Sequence, residues 1–217
     1  FEALPILQKA LQLNPHDNDI LLNLANVYIS LGRPTEAEEL IKEIKTASAY
    51  NSLGIAKYVQ RDWIGAKTLF KKALSVEPEF AGAHENLALT LLQLKEFEAG
   101  WIEYDWRWKN TANRLTKPIF NKPIWNGGQL AGKNLLLHCE QGFGDAIQFI
   151  RYAGLIEKSG GKIFLACQSE LLDLLKDAPG IDEAYVFGSQ IPYYDFHAPL
   201  LSLPGITECL VTEPKTI

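Results

Sequence analysis

The sequence predicts an α + α/β protein, a solenoid of paired helices followed by a partial parallel-sheet domain. Three observations predict it. Small and apolar residues recur in register at a spacing of 34 residues through the first half of the chain. Short apolar runs alternate with helical spacing in the second half, the pattern of parallel βαβ units. A polar stretch containing Pro118 and Pro123 separates the two patterns and reads as a linker. The organisation expected is repeats over 1–108, a linker over 109–124 and an incomplete α/β domain over 125–217.

The chain has 217 residues, 47% of them hydrophobic and 22% charged, which is enough for one or two soluble domains with a sizeable core. Its net charge of -5 gives no general attraction for nucleic acid or an anionic membrane surface. No apolar run approaches the roughly 20 residues of a membrane span, and the N-terminus lacks the form of a signal peptide, so a cytoplasmic location is expected. Cys139, Cys167 and Cys209 are odd in number and widely spaced, which fits neither a disulfide framework nor a zinc site. Buried packing is the expectation for Cys139 and Cys167. The sequence begins in mid-helix pattern at Phe1 and contains no Met, so the natural start is expected upstream.

The repeats are legible residue by residue. Ala3, Leu7, Ala10 and Pro15 match the second helix and closing turn of one unit, and Leu21, Leu24, Ala25, Tyr28, Gly32, Ala37 and Ile41 form the next. Leu53, Gly54, Ala66, Phe70, Ala73 and Pro78 make a third copy, and Leu87, Ala88, Leu91, Gly100 and Tyr104 a fourth. The period is that of the tetratricopeptide repeat. Small residues at fixed places let paired helices approach, while larger ones fill the space between pairs. One interval breaks the period: Ala37 to Ala66 is 29 residues, and the missing five are expected in the turn near Lys45 to Ala49.

The inner face of such a solenoid is a groove for an extended peptide or protein partner. Asn23 and Asn86 hold the same place in their repeats and have side chains able to bond backbone amides; Ser52 stands at that place in the third copy. Solvated polar side chains are the alternative reading. The aromatic cluster Trp101, Tyr104, Trp106 and Trp108, with Arg107 among them, reads as a core cap or domain glue, with a base-stacking platform as the sharper alternative.

The second half is organised around the run from Trp125 to Tyr152. Asn134 to Glu140 reads as a strand, Gln141-Gly142-Phe143-Gly144-Asp145 as a tight loop and Ala146 onward as a helix. In an open parallel sheet such a loop faces the ligand crevice. The dinucleotide fingerprint requires a small residue where Ile147 stands, which argues against a nicotinamide or flavin enzyme. Lys162 to Cys167 and Ala184 to Phe187 read as further strands, Glu170 to Leu175 as a helix and Asp195-Phe196-His197 as a shorter strand. His138 is expected buried and hydrogen-bonded, and His197 near Asp195 too isolated to form a dyad. Three or four strands make a thin sheet, so part of a larger α/β unit is expected.

Together the repeats, Trp106-Arg107, Trp125-Asn126-Gly127, Glu140-Gln141-Gly142-Phe143-Gly144-Asp145, Gln148-Phe149, Arg151-Tyr152 and Leu201-Ser202-Leu203-Pro204 closely resemble bacterial tetratricopeptide-repeat proteins carrying a heptosyltransferase-like family 9 glycosyltransferase domain. The architecture is also similar to that of the protein O-GlcNAc transferases, whose repeats hold a polypeptide on an asparagine ladder. The resemblance implies the N-terminal, Rossmann-like half of a GT-B fold, with the donor half beyond Ile217. It implies transfer of a sugar from a nucleotide-sugar substrate to a polypeptide or surface-glycan acceptor, with no metal and no cofactor. Asp145 matches the catalytic base. Gly142 and Gly144 would let the backbone approach the ligand, Gln141, Gln148 and Arg151 would meet acceptor hydroxyls or a diphosphate, and Asn23 and Asn86 would hold a peptide, with Ser52 departing from that ladder. Two alternatives stay open: Asp145 as a helix cap, and Arg151 in an ion pair or packing. The rival to the enzyme is a repeat scaffold with a degenerate α/β docking domain.

Overall fold

Three helix starts in the first half are fixed by side chains that satisfy free backbone N–H groups. Asp17 Oδ1 accepts from the N–H groups of Asp19 and Ile20 at 2.9 and 3.1 Å, Thr46 Oγ1 from Ala49 at 3.2 Å and Asp62 Oδ1 from Gly65 at 2.9 Å. In the computed structural model, which describes residues 3–110 and 120–207, these caps open α2 (Asn18–Ser30), α4 (Ala47–Val59) and α5 (Trp63–Val76). With α1 (Ala3–Leu13), α3 (Pro34–Ile41), α6 (Ala81–Gln93) and α7 (Phe97–Tyr104), they form the compact unit Phe1–Asn113. The second unit, Arg114–Ile217, begins inside the stretch read as a linker. Pro118 and Cys209 lie outside the described residues.

Within each repeat the first helix hands over to the second through one residue with positive φ, namely Gly32, Arg61 and Lys95 at 72°, 64° and 61°. Ala25, Ala37, Ala66 and Ala88 are fully buried where helices cross. A Cβ on Gly54 would stand 2.5 Å from the Phe70 ring, so the absence of a side chain there is what admits the ring. Two apolar clusters result. Ala25, Ile29, Ala37, Ile41 and Ala56 hold the earlier repeats, and Ala66, Phe70, Leu87 and Leu91 the later ones.

The shortened interval has a different cause from the one expected. First helices α2, α4 and α6 all have 13 residues, but α3 has 8 against 14 in α5. The connection after α3, residues 42–46, is one residue longer than its counterpart, residues 77–80. The five-residue deficit is therefore six residues lost from the end of a helix and one gained in the turn. The turn itself is not shortened.

The second unit is built on four parallel strands, β1 (Leu135–His138), β2 (Ile163–Cys167), β3 (Glu183–Val186) and β4 (Phe196–Pro199), in the order β3-β2-β1-β4. Leu136 pairs with Phe164 on one side and His197 on the other. Every residue of β1 and β2 is buried, as expected for central strands covered on both faces. The right-handed crossover rule puts α8 (Phe143–Phe149), the 3-10 helix Ile150–Leu155 and α9 (Leu172–Leu175) on one face, because β1 to β2 and β2 to β3 step in the same direction. The return from β3 to β4 covers the other face. There Phe120, Tyr185, Ile191 and Tyr194 pack over Leu136, Phe164 and Ala166.

Element ends differ from the sequence reading by one or two residues, and Glu170 to Leu175 is a 3-10 turn, Ser169–Leu171, running into the one-turn α9. The helix after the loop starts at Phe143, not Ala146, with Gly142 in the N-cap position and no side-chain cap. Asp145 therefore sits in the first turn of α8 and is not its cap. Among the described residues no helix is long and apolar enough to cross a membrane, and no group of three or more His, Cys, Asp or Glu is placed to hold a metal ion. The fold is thus a helical solenoid followed by a small parallel sheet with helices, the α + α/β class that the two periodicities predict.

Candidate functional site

The polar row on the first helices is more interlocked than the sequence indicates. Asn23 is exposed on α2. Ser52 is buried at 4% exposure, and its hydroxyl donates to Asn26 Oδ1 at 2.8 Å. Asn86 Nδ2 donates to Asn51 Oδ1 at 3.0 Å. Adjacent repeats are therefore linked by side-chain bonds that use part of each amide, leaving Asn86 Oδ1 and the Nδ2 groups of Asn26 and Asn51 for a ligand. Asn26 and Asn51 were not singled out by spacing because they fall off the register that joins Asn23, Ser52 and Asn86.

The aromatic cluster closes the last repeat. Arg107 is fully buried, its guanidinium 4.8 Å from the Tyr104 ring centre and 4.7 Å from that of Trp108. Its Nη1 donates to Asp105 Oδ1 at 2.8 Å. His84 stacks on Trp106 at 3.7 Å with an interplanar angle of 7°, and Lys109 Nζ lies 3.9 Å from the Trp106 ring centre. Rings engaged in this way serve the cap and offer no free stacking platform.

In the α/β unit, strand order reverses between β1 and β4, and this is where an open α/β sheet forms its crevice. The loop leaving β1 carries Glu140, Gln141 and Gly142; the segment leaving β4 carries Leu200, Leu201 and Ser202, against which α8 packs. The two motifs that are far apart in sequence meet here. Trp125 donates its backbone N–H to the His197 carbonyl at 2.8 Å and its indole N–H to the Gly128 carbonyl at 2.8 Å. Gly127 in turn lies against Ile206 of α10 (Leu203–Ile206), close enough that a Cβ would fall 2.3 Å from the Ile206 carbonyl oxygen. Trp125-Asn126-Gly127 is thus a clamp on the segment after β4.

Asp145 is half-buried, and among the described residues its carboxylate makes no hydrogen bond or ion pair. A Cβ at Gly144 would meet nothing within 4 Å, and one at Gly142 only Asp145 Oδ2, at 3.6 Å, so the space around the carboxylate is open. Gln148 is exposed beyond it. Arg151 is exposed in the 3-10 helix, its guanidinium 5.3 Å from the ring centre of its neighbour Tyr152. Gln141 is held through its carbonyl, which accepts from Gln168 Nε2 at 3.1 Å.

Gln168 was missed by sequence reasoning. It is the first residue after β2, on the carboxyl edge of the sheet, and a polar residue ending an apolar strand was its only signal. Its Oε1 is buried and without a hydrogen-bond partner. His138 is buried and hydrogen-bonded, as expected, and its partner is His197. His138 Nε2 lies 3.2 Å from His197 Nδ1, both rings are buried, and the Phe120 ring stands 4.6 Å from each. Asp195 instead accepts from the Asn134 N–H at 2.9 Å. Cys139 and Cys167 are buried free thiols, and burial pushes the Cys139 thiol up to about 12, which removes it from nucleophilic chemistry.

Two models of the tetratricopeptide-repeat family match residues 2–49 and 51–104. Protein FlbA of Caulobacter vibrioides is 26% identical over 201 residues, covering 72% of this chain and 33% of that protein, so the chain spans about a third of the length of this curated relative. Among solved structures, a crystal structure of MamA is 24% identical over 49% of this chain and 66% of its own, with a TM-score of 0.42. MamA of Desulfovibrio magneticus RS-1 is 16% identical over 53% of this chain and 68% of its own, TM-score 0.43. A mutant of the Thermobaculum terrenum O-GlcNAc transferase is 17% identical over 79% of this chain and 36% of its own, TM-score 0.44. The helices of the first unit are therefore tetratricopeptide repeats, an architecture for protein–protein interaction.

Proposed function

We propose that the chain is the acceptor-binding part of a cytoplasmic glycosyltransferase of the heptosyltransferase-like GT-B kind, in which the repeats recruit a polypeptide or glycan-bearing partner. The observation that carries this reading is the open, unpaired Asp145 carboxylate at the point where strand order reverses between β1 and β4. In the reaction the acceptor hydroxyl oxygen attacks the anomeric carbon of the nucleotide sugar, Asp145 takes the hydroxyl proton, and the nucleoside diphosphate leaves with the bonding pair. A base must stand within about 3 Å of that hydroxyl. Gly142 and Gly144 leave the approach clear, and Gln148, Arg151 and the loop bearing Gln141 are the candidate contacts for acceptor hydroxyls or phosphate oxygens. Asn23 and Asn86, with Asn26 and Asn51, are the candidate contacts for a polypeptide main chain.

The test is nucleotide-sugar hydrolysis and transfer by the full-length protein against Asp145→Asn, with folding of both followed by circular dichroism. Loss of roughly a hundredfold or more in a folded variant supports the base. Equal inertness of both toward a broad donor panel overturns the enzyme. A scaffold would then be the function, which the interlocked amides of the repeat face favour, and Asn23→Ala with Asn86→Ala would weaken a bound peptide without any catalytic effect.

A further inference from the structure

Gln168 closes β2 with a side chain that reaches the turn leaving β1. Its backbone is held on two sides: the Phe187 N–H donates to the Cys167 carbonyl at 2.9 Å, and the Leu171 N–H to the Gln168 carbonyl at 3.1 Å. The main-chain ladder between β1 and β2 ends with the bond from the Cys139 N–H to the Ala166 carbonyl, at 2.9 Å. Gln168 Nε2 carries the tie further along the chain by donating to the Gln141 carbonyl at 3.1 Å. Beyond that bond the chain enters α8 through Gly142, with no side-chain cap. Neither Gly142 nor Gly144 is wedged in place, since a Cβ would meet only Asp145 Oδ2, at 3.6 Å, from the first and nothing within 4 Å from the second. The other half of the Gln168 amide is costly. Its Oε1 is buried with no hydrogen-bond partner among the described residues, a loss of stability that an apolar side chain of the same length would avoid.

We propose that Gln168 is a positioning residue for Asp145. Its amide, fixed by the end of β2, sets where the turn after β1 delivers the first turn of α8, and so where the Asp145 carboxylate meets an acceptor hydroxyl. The proposal rests on the reading of Asp145 as the base. Gln168 touches no reacting atom and acts through the turn alone. Placement matters at this point because a base works only within about 3 Å of the hydroxyl it deprotonates, and an error of about 1 Å costs on the order of a hundredfold in rate. The buried, unmet Oε1 fits the same account: the side chain serves its donor, and the donor serves the turn rather than the stability of the sheet.

The experiment compares the full-length protein as wild type, Gln168→Met, Asp145→Asn and the double variant. Methionine keeps the length of the side chain and removes both the donor and the unmet acceptor, while the half-buried Gln141 turns its carbonyl to water, so the urea midpoint is expected to hold. In Gln168→Met the amide of Ala146, which donates to the Gly142 carbonyl at 3.2 Å, is expected to exchange about fivefold faster, with the Cys139 amide of the ladder unchanged. Sugar transfer is expected to fall roughly tenfold or more in the wild-type background, with no further loss in the Asp145→Asn background, since a positioning residue acts only through the group it positions. An equal fractional loss in both backgrounds is the mark of a purely structural role and overturns the proposal. So does an unchanged Ala146 amide, or full transfer by folded Gln168→Met. Equal turnover by wild type and Asp145→Asn, including none, overturns the base and this proposal with it; a faster Ala146 amide in Gln168→Met then marks the failure as that of the base and not of the tie.

Discussion

Gly127→Ala and Gly132→Ala form a pair that isolates the clamp between the two motifs of the α/β unit. Both glycines have positive φ, 91° and 82°, so an added Cβ costs about 1–2 kcal/mol of left-handed strain at either place. Beyond that they differ. At Gly132 the Cβ meets nothing within 4 Å, whereas at Gly127 it falls 2.3 Å from the Ile206 carbonyl oxygen. That obstacle is backbone, so relief requires α10 to move, at about 1–3 kcal/mol more. Gly127→Ala should therefore destabilise the unit by about 3 kcal/mol and Gly132→Ala by about half as much. Urea titrations read through hydrogen-exchange protection of the β1 and β4 amides report this unit alone. Costs equal within about 0.5 kcal/mol would refute the close approach of Gly127 to Ile206.

Further outcomes follow from the turns and the buried thiols. Arg61 and Lys95 hold the left-handed position that Gly32 fills in the second repeat; replacing either by Gly should raise stability by about 0.5 kcal/mol, strain relief exceeding the entropy given to the unfolded chain, while Gly32→Ala should lower it, all measured by thermal melts. Burial raises the Cys139 thiol from an ordinary 9.0 to about 12, so the folded state resists its ionisation. The stability this represents is intact below pH 9 and is lost as pH rises from 9 to 12, with a slope of about 1.4 kcal/mol per pH unit that Cys139→Ala removes from urea titrations at several pH values. Neither Cys139 nor Cys167 should react with an aromatic disulfide reagent at pH 8 until the chain unfolds.

The sequence by itself determined the class of each element. Helices announce themselves by apolar residues at three- and four-residue spacing, and the fully buried Ala25, Ala37, Ala66 and Ala88 are all residues that the 34-residue register singles out. The strands are equally local in origin: a run such as Leu135-Leu136-Leu137 has no polar face, so it can only be central. The 29-residue interval was visible as well, but a deficit between two landmarks does not say which segment lost residues. Only packing decided that, because α4 must present its small residues to α3, and the chain meets this by ending α3 early and keeping the connection.

The candidate site was half legible for the same reason. Gln141, Gly142, Gly144, Asp145, Gln148 and Arg151 fall within one eleven-residue stretch that follows a strand, so one local pattern finds them all. The position of Asp145 inside the first turn rather than at its cap needed the backbone, since Gly142 carries no side chain to mark the start. Pairing of His138 with His197, 59 residues apart, and of Gln168 with Gln141, 27 apart, follows from strand order. Local periodicity encodes which face of a strand is buried, but not which strand lies beside it. Tertiary structure alone made β4 the neighbour of β1 and so brought the helix of Asp145 against the segment after β4, on which the Trp125 clamp closes.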